Sequence, residues 1–132
     1  MYIETDINEV EKVVNLYLEG LYERKFELLE KAFWEESRNI GVTAEDDFWF
    51  KTMDFWEEKC ETPPANNPKI ERLFTIENLD IWHNSAMAKV KMVIKYPERI
   101  YECTDYLSLL KMNGQWKIYN KLWSARNIVI DQ

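Results

Sequence analysis

The stretch Thr104 to Lys121, TDYLSLLKMNGQWKIYNK, carries two alternating apolar runs on either side of Asn113-Gly114. Asn-Gly supplies the two positive-φ residues of a type I′ turn, so the segment predicts a tight β-hairpin. Strand alternation places Tyr101, Cys103, Asp105, Leu107 and Leu109 on one face. An acid on the same face as two leucines needs an explanation, because a charged Asp105 would be poorly solvated wherever that face lines an interior.

The hairpin is the end of a longer β region. Ile70 to Trp82 and Ala86 to Tyr96 read as strands joined by the turn His83-Asn84-Ser85. Pro97-Glu98-Arg99 interrupts before Ile100 to Met112, and Gln115 to Ala125 forms the last strand. Glu61 to Pro68, ETPPANNP, reads as a loop, because its prolines lack a donor and bias their predecessors toward extended backbone.

The N-terminal half reads differently. Ile7, Val10, Val14, Tyr17, Leu18 and Leu21 recur at helical spacing, which predicts a helix from Ile7 to Glu23 with Asp6 and Glu9 as a capping box. A second helix is expected from Phe26 to Trp34, short strands over Ser37 to Val42 and Asp47 to Lys51, and a third helix from a Thr52 cap to about Cys60. Helices first and a meander last define an α+β domain with the helices on one sheet face. At 132 residues the chain is expected to be a single domain, 1–132.

Composition narrows the function. A net charge of −7 with acids and bases interspersed argues against nucleic acid and against anionic membrane. Cys60 and Cys103 fit neither a disulfide framework nor a metal spacing and read as free thiols. The N-terminus has no signal-like apolar core and no run approaches membrane-spanning length, so a cytoplasmic location is expected. With only 3 glycines there is little backbone for phosphate-cradling loops, whereas 14% aromatic residues suit a pocket walled by rings.

The order of elements, together with VVNLYLEGLYERKFELLEKAFWEES (Val13 to Ser37), FTIENLDIWHNSAMAKVKM and the hairpin through Trp123, resembles the nuclear transport factor 2-like superfamily. Its lumazine-binding branch is the most similar. The resemblance implies a cone, with three N-terminal helices packed on a strongly curved, mainly antiparallel sheet. It departs at Arg24-Lys25, where such proteins carry Gly-Asp. The superfamily includes steroid isomerases, dehydratases and polyketide cyclases, so the fold alone selects no reaction.

Matching to the ketosteroid isomerases, whose oxyanion hole is a helix-one tyrosine and a protonated aspartic acid from a late strand, puts Tyr17 at the tyrosine position and Asp105 at the aspartic acid position. Gly41 falls where those enzymes carry the base, so steroid isomerisation by that mechanism is not expected. A carboxylic acid beside a phenol would donate two hydrogen bonds to one ligand oxygen. The competing reading has Asp105 bonded to a backbone group or a lysine and fixing its strand, with Tyr17 a core tyrosine. His83 is expected to be exposed in its turn, and Asp46, Asp47, Glu57 and Glu58 to be solvated acids. The expected ligand-binding set is Tyr17, Trp56, Tyr101, Asp105, Leu107 and Trp123, with Tyr17 and Asp105 the candidate catalytic pair, no metal and no cofactor.

Three functions compete: a binder of a small apolar or aromatic molecule, a cofactor-free isomerase, dehydratase or cyclase using Tyr17 and Asp105 on an oxyanion, and a non-catalytic interaction module. On the opposite sheet face Tyr106, Ser108 and Leu110, joined by Tyr119, lack cover from the helices, and superfamily members pair through this face. A homodimer is expected.

Overall fold

The computed structural model describes residues 3–63 and 70–130. Helix α1 (Ile3–Glu23) packs against α2 (Phe26–Ala32), and β1 (Phe33–Val42), β2 (Phe48–Lys51) and α3 (Met53–Lys59) follow. Then comes the meander β3 (Glu71–Trp82), β4 (Ser85–Lys95), β5 (Arg99–Met112) and β6 (Gln115–Val129). The six strands form one curved open sheet in the order β2-β1-β6-β5-β4-β3, antiparallel except where β1 runs parallel to β6. This is the expected three-helix α+β architecture.

The Asn113-Gly114 turn has φ values of 53° and 77°, as a type I′ connection requires. Val10, Val14, Tyr17 and Leu18 bury the predicted stripe of α1 against the sheet, where Ala88, Val90, Leu107, Leu109 and Ile118 complete the core. The chain approaches itself closely at Gly20: a Cβ there would lie 2.9 Å from Leu29 Cδ2, so the missing side chain lets α2 seat on α1.

Two local expectations are corrected. Helix α1 begins at Ile3, so Asp6 lies inside it and is no cap. Its buried carboxylate instead accepts hydrogen bonds from Trp116 Nε1 at 2.9 Å and Lys111 Nζ at 3.1 Å. Helix α2 ends at Ala32, and Phe33 and Trp34 already belong to β1, where Trp34 Nε1 donates to the Leu110 carbonyl. Thr52 occupies the N-cap of α3 without a side-chain cap bond. The expected Glu61 to Pro68 loop is described only as far as Pro63; its remainder lies outside the described residues.

The turn after α1 is built without glycine. Arg24 adopts φ 54° while Lys25 N–H closes back on the Gly20 carbonyl at 3.0 Å, the reach of a Schellman closure. The Arg24 guanidinium also donates to the Thr62 and Pro63 carbonyls, tying this corner to the end of α3.

Candidate functional site

Strand β5 sends Tyr101, Cys103, Asp105 and Leu107 to the helix side of the sheet, as alternation requires. Asp105 is 1% exposed and sits in register with Trp123 on β6 and Val90 on β4. From α1 the Tyr17 hydroxyl donates to Asp105 Oδ2 at 2.6 Å, and the Cys103 thiol lies 3.4 Å from Oδ1. Lys121 Nζ approaches Oδ2 to 3.9 Å. The phenol proton is thus directed at the carboxylate, a different geometry from two donors converging on one ligand oxygen.

Lys121 is buried with a cationic head, which requires compensation. Besides Asp105 it faces the rings of Tyr17, Trp56 and Trp123, with centroids at 5.0, 5.5 and 5.7 Å. The negative faces of these rings supply part of what lost hydration removes. Asn39, paired in register with Lys121, and Ser37 are completely buried on β1, and their side-chain polar atoms find no hydrogen-bond partner among the described residues. Trp49 and Phe55 extend the aromatic packing, each standing against Trp56, and Trp49 is edge-on to Trp123 at 5.3 Å.

Burial and then the neighbouring Asp105 charge push the Tyr17 phenol well above its ordinary range. The same two causes push the Cys103 thiol up to about 12, and burial raises the Tyr101 phenol. At neutral pH all three therefore keep their protons. They act as donors and apolar surface, not as nucleophiles or bases.

Above this cluster the cone opens into a cavity of about 550 Å³. Of the expected ligand contacts, Tyr101 and Trp123 are in its wall, along with Phe74, Met92 and Ile94. Tyr17, Trp56, Asp105 and Leu107 do not line it and are all closely buried. Cys103 links the two zones, since it neighbours Tyr101 on one side and Asp105 on the other. His83 is exposed at the tip of the β3–β4 turn with φ 52°, away from the cavity lining, and Asp46, Asp47, Glu57 and Glu58 are exposed.

Residues 5–124 match the family described as "Putative lumazine-binding". The chain belongs to this family. Similar solved structures include an NTF2-like protein of unknown function from Silicibacter pomeroyi, at 19% identity and TM-score 0.76, covering 96% of this chain and 100% of that one. A second, from Methylobacillus flagellatus, is 24% identical with TM-score 0.69 over 92% and 93% of the two chains. A ketosteroid isomerase-like protein from Erwinia carotovora aligns over 95% and 96% at 9% identity and TM-score 0.62. At these identities the likeness is one of fold. No curated protein matches the chain.

In this member of the family, the position matched to the isomerase base is closed by packing. A Cβ on Gly41 would lie 2.5 Å from Trp123 Cδ2 and Cε2 and 2.5 Å from the Trp123 carbonyl oxygen. The indole lies directly against the glycine, in register across β1 and β6. Any side chain there, a carboxylate included, would have to displace β6 backbone as well as the ring.

Lys121, Asn39 and Ser37 are the site residues that sequence reading missed. Lys121 has the same parity as the exposed Tyr119, which argues for an outward side chain. The register shows the reason for the reversal: Leu109 pairs with Ile118 and Ser108 with Asn120, leaving Tyr119 as an extra residue. This bulge switches faces along β6, so that Trp116, Ile118, Lys121 and Trp123 all point inward and Leu122 points out.

Proposed function

We propose that the chain is a small-molecule binding protein that holds a ring-containing, largely apolar guest in its cone cavity. The observation that carries this reading is the cavity of about 550 Å³, walled by Phe74, Tyr101 and Trp123 and of a size suited to such ligands. The family description supports a flat heteroaromatic guest, for which offset stacking on Tyr101 or Trp123 adds about 0.5–1.5 kcal/mol beyond burial. Tyr17, Asp105 and Lys121 form a polar cluster behind the wall and fix the strands that carry it. A catalytic reading needs a proton-moving group, and the Tyr17 donor is already engaged by Asp105.

The test is a thermal-shift screen of flavin precursors, steroids and aromatic polyketides, followed by tryptophan fluorescence titration of the hits. At a hundred times Kd, binding adds about 2.7 kcal/mol and produces a shift of several degrees. Trp123→Phe, which keeps a ring beside Lys121, should weaken the hits, with an unchanged melting temperature of the free variant as the check on its fold. A screen in which no ring-containing compound stabilises the protein would remove the reading. We further propose a two-fold homodimer formed through the outer sheet face, where Phe50, Leu122 and Tyr106 are exposed.

A further inference from the structure

The cavity mouth has a charge opposite to that of the chain as a whole. The protein carries a net charge of −7, yet the described residues lining the cavity include Arg24, Lys59, Arg72 and Arg99 and a single carboxylate, Glu45. These cations come from four separate places in the chain: the turn after α1, the end of α3, β3 and the start of β5. The topology gathers them at one opening, and no run of basic residues in the sequence announces it.

Their immediate surroundings leave them available to a ligand. Among the described residues no carboxylate lies within ion-pair distance of Arg24, Lys59 or Arg72, and Arg99 has only its chain neighbour Glu98 at 3.7 Å. Arg72 stacks on the Tyr22 ring at 4.8 Å and Arg99 on the Tyr96 ring at 3.9 Å. Stacking holds a guanidinium by its face while its edge N–H groups stay free, which lowers the ordering cost of a bidentate hydrogen bond to an oxyanion. Arg99 Nη1 makes no hydrogen bond among the described residues, with Glu98 Oε1 its ion-pair neighbour at 3.7 Å. Arg24 is partly engaged by the Thr62 and Pro63 carbonyls, so Arg72 and Arg99 are the better-placed pair.

By strand register Arg99 stands nearest the mouth, Arg72 shares its row with Ile94 and Tyr101, and Phe74 and Met92 and then Trp123 follow toward Asp105. The cavity is therefore amphipathic along its depth, with apolar rings inside and guanidinium groups outside. We infer that its ligand is an anionic amphiphile: an apolar or aromatic body lying against Tyr101 and Trp123, with a carboxylate or similar oxyanion head held at the mouth by Arg72 and Arg99. This rests on the binding reading above and adds the charge and orientation of the guest. Electrostatic steering by the same cations would draw such a ligand to this one opening in an otherwise acidic surface.

The experiment uses three probes with one ring system: 2-naphthoate, the neutral 2-naphthamide and the cationic 2-naphthylmethylammonium. Affinities are measured by tryptophan fluorescence and calorimetry at low and at physiological salt. The expected order is naphthoate first by about tenfold over the amide, with the cation weakest and the naphthoate advantage shrinking as salt rises. R72Q and R99Q, checked for unchanged melting temperature, should each lose most of the naphthoate preference and keep the amide affinity. If either variant fails to fold, the head-group order and salt dependence of the unmodified chain decide the matter. Equal binding of the anion and the amide, or preference for the cation, would overturn the charge assignment and leave the ring-binding reading standing. Failure of all three probes to bind, together with a blank thermal-shift screen, would overturn both.

Discussion

At Asp105 the chain places an acid among leucines and gives it three partners from three elements: Tyr17 of α1, Cys103 of β5 and Lys121 of β6. The phenol and thiol keep their protons because burial and the adjacent charge both raise them, so each remains a donor throughout the neutral range. Lys121 supplies the formal counter-charge and is itself enclosed by three rings. Removing one member of a buried pair leaves the other uncompensated, and Lys121→Met should cost about 3–5 kcal/mol in urea melts. Asp105→Asn keeps a carbonyl acceptor for Tyr17 but leaves the lysine without its carboxylate. The double variant should then cost less than the sum of the singles, by at least about 1 kcal/mol. Strict additivity would mean that Asp105 and Lys121 do not act on one another.

At the scale of elements, Asp6 joins α1 to the hairpin that dominates the sequence. Lys111 and Trp116 are partners in register on either side of the Asn113-Gly114 turn, and both donate to the Asp6 carboxylate. The Trp116 hydrogen bond first, then that from Lys111, holds the carboxyl below its ordinary 3.8. A carboxyl lowered on folding contributes stability that is present above 3.8 and is lost as pH falls through the lower folded value. Asp6→Asn should therefore lower the melting temperature at pH 7, and its deficit relative to the unmodified chain should shrink on acidification. Parallel melting curves down to acid pH would show that the charge at Asp6 contributes nothing. The hairpin, the stripe of α1 and the helices-then-meander order were legible in the sequence, because turn chemistry and periodicity are local properties. The role of Asp6 was not, because an acid near a helix start looks the same whether it caps or reaches across to Trp116. The inward turn of Lys121 was hidden as well: it depends on the Tyr119 bulge, which is settled by pairing between β5 and β6. Asp105 stood out by strand parity and was joined to Tyr17 by family resemblance, whereas the cationic mouth needs the folded chain to bring Arg24, Lys59, Arg72 and Arg99 together.

Across the whole molecule the two faces of the sheet have different fates. The helices cover the inner face, while the register across the outer face aligns Phe50, Ile40, Leu122 and Tyr106 in one row over four strands. Leu122 is 50% exposed and Phe48, beside this row, 74%. Such a band costs free energy in water, and pairing with a second copy about a two-fold axis would cover the band on both copies at once. Ion pairs such as Lys91 with Glu102 border it on β4 and β5, giving the polar rim that suits such an interface. The chain should therefore scatter light as a particle of twice 16.0 kDa at micromolar concentration. Leu122→Glu, in the middle of the row, places like charges across the two-fold and should reduce the mass to that of one chain. Because Leu122 points away from the cavity, the variant should keep its helical circular dichroism and its affinity for the naphthoate probe. A monomeric mass for the unmodified chain would rule out the dimer without touching the cavity, whereas joint loss of dimer and binding in the variant would show that the two faces of the sheet are coupled.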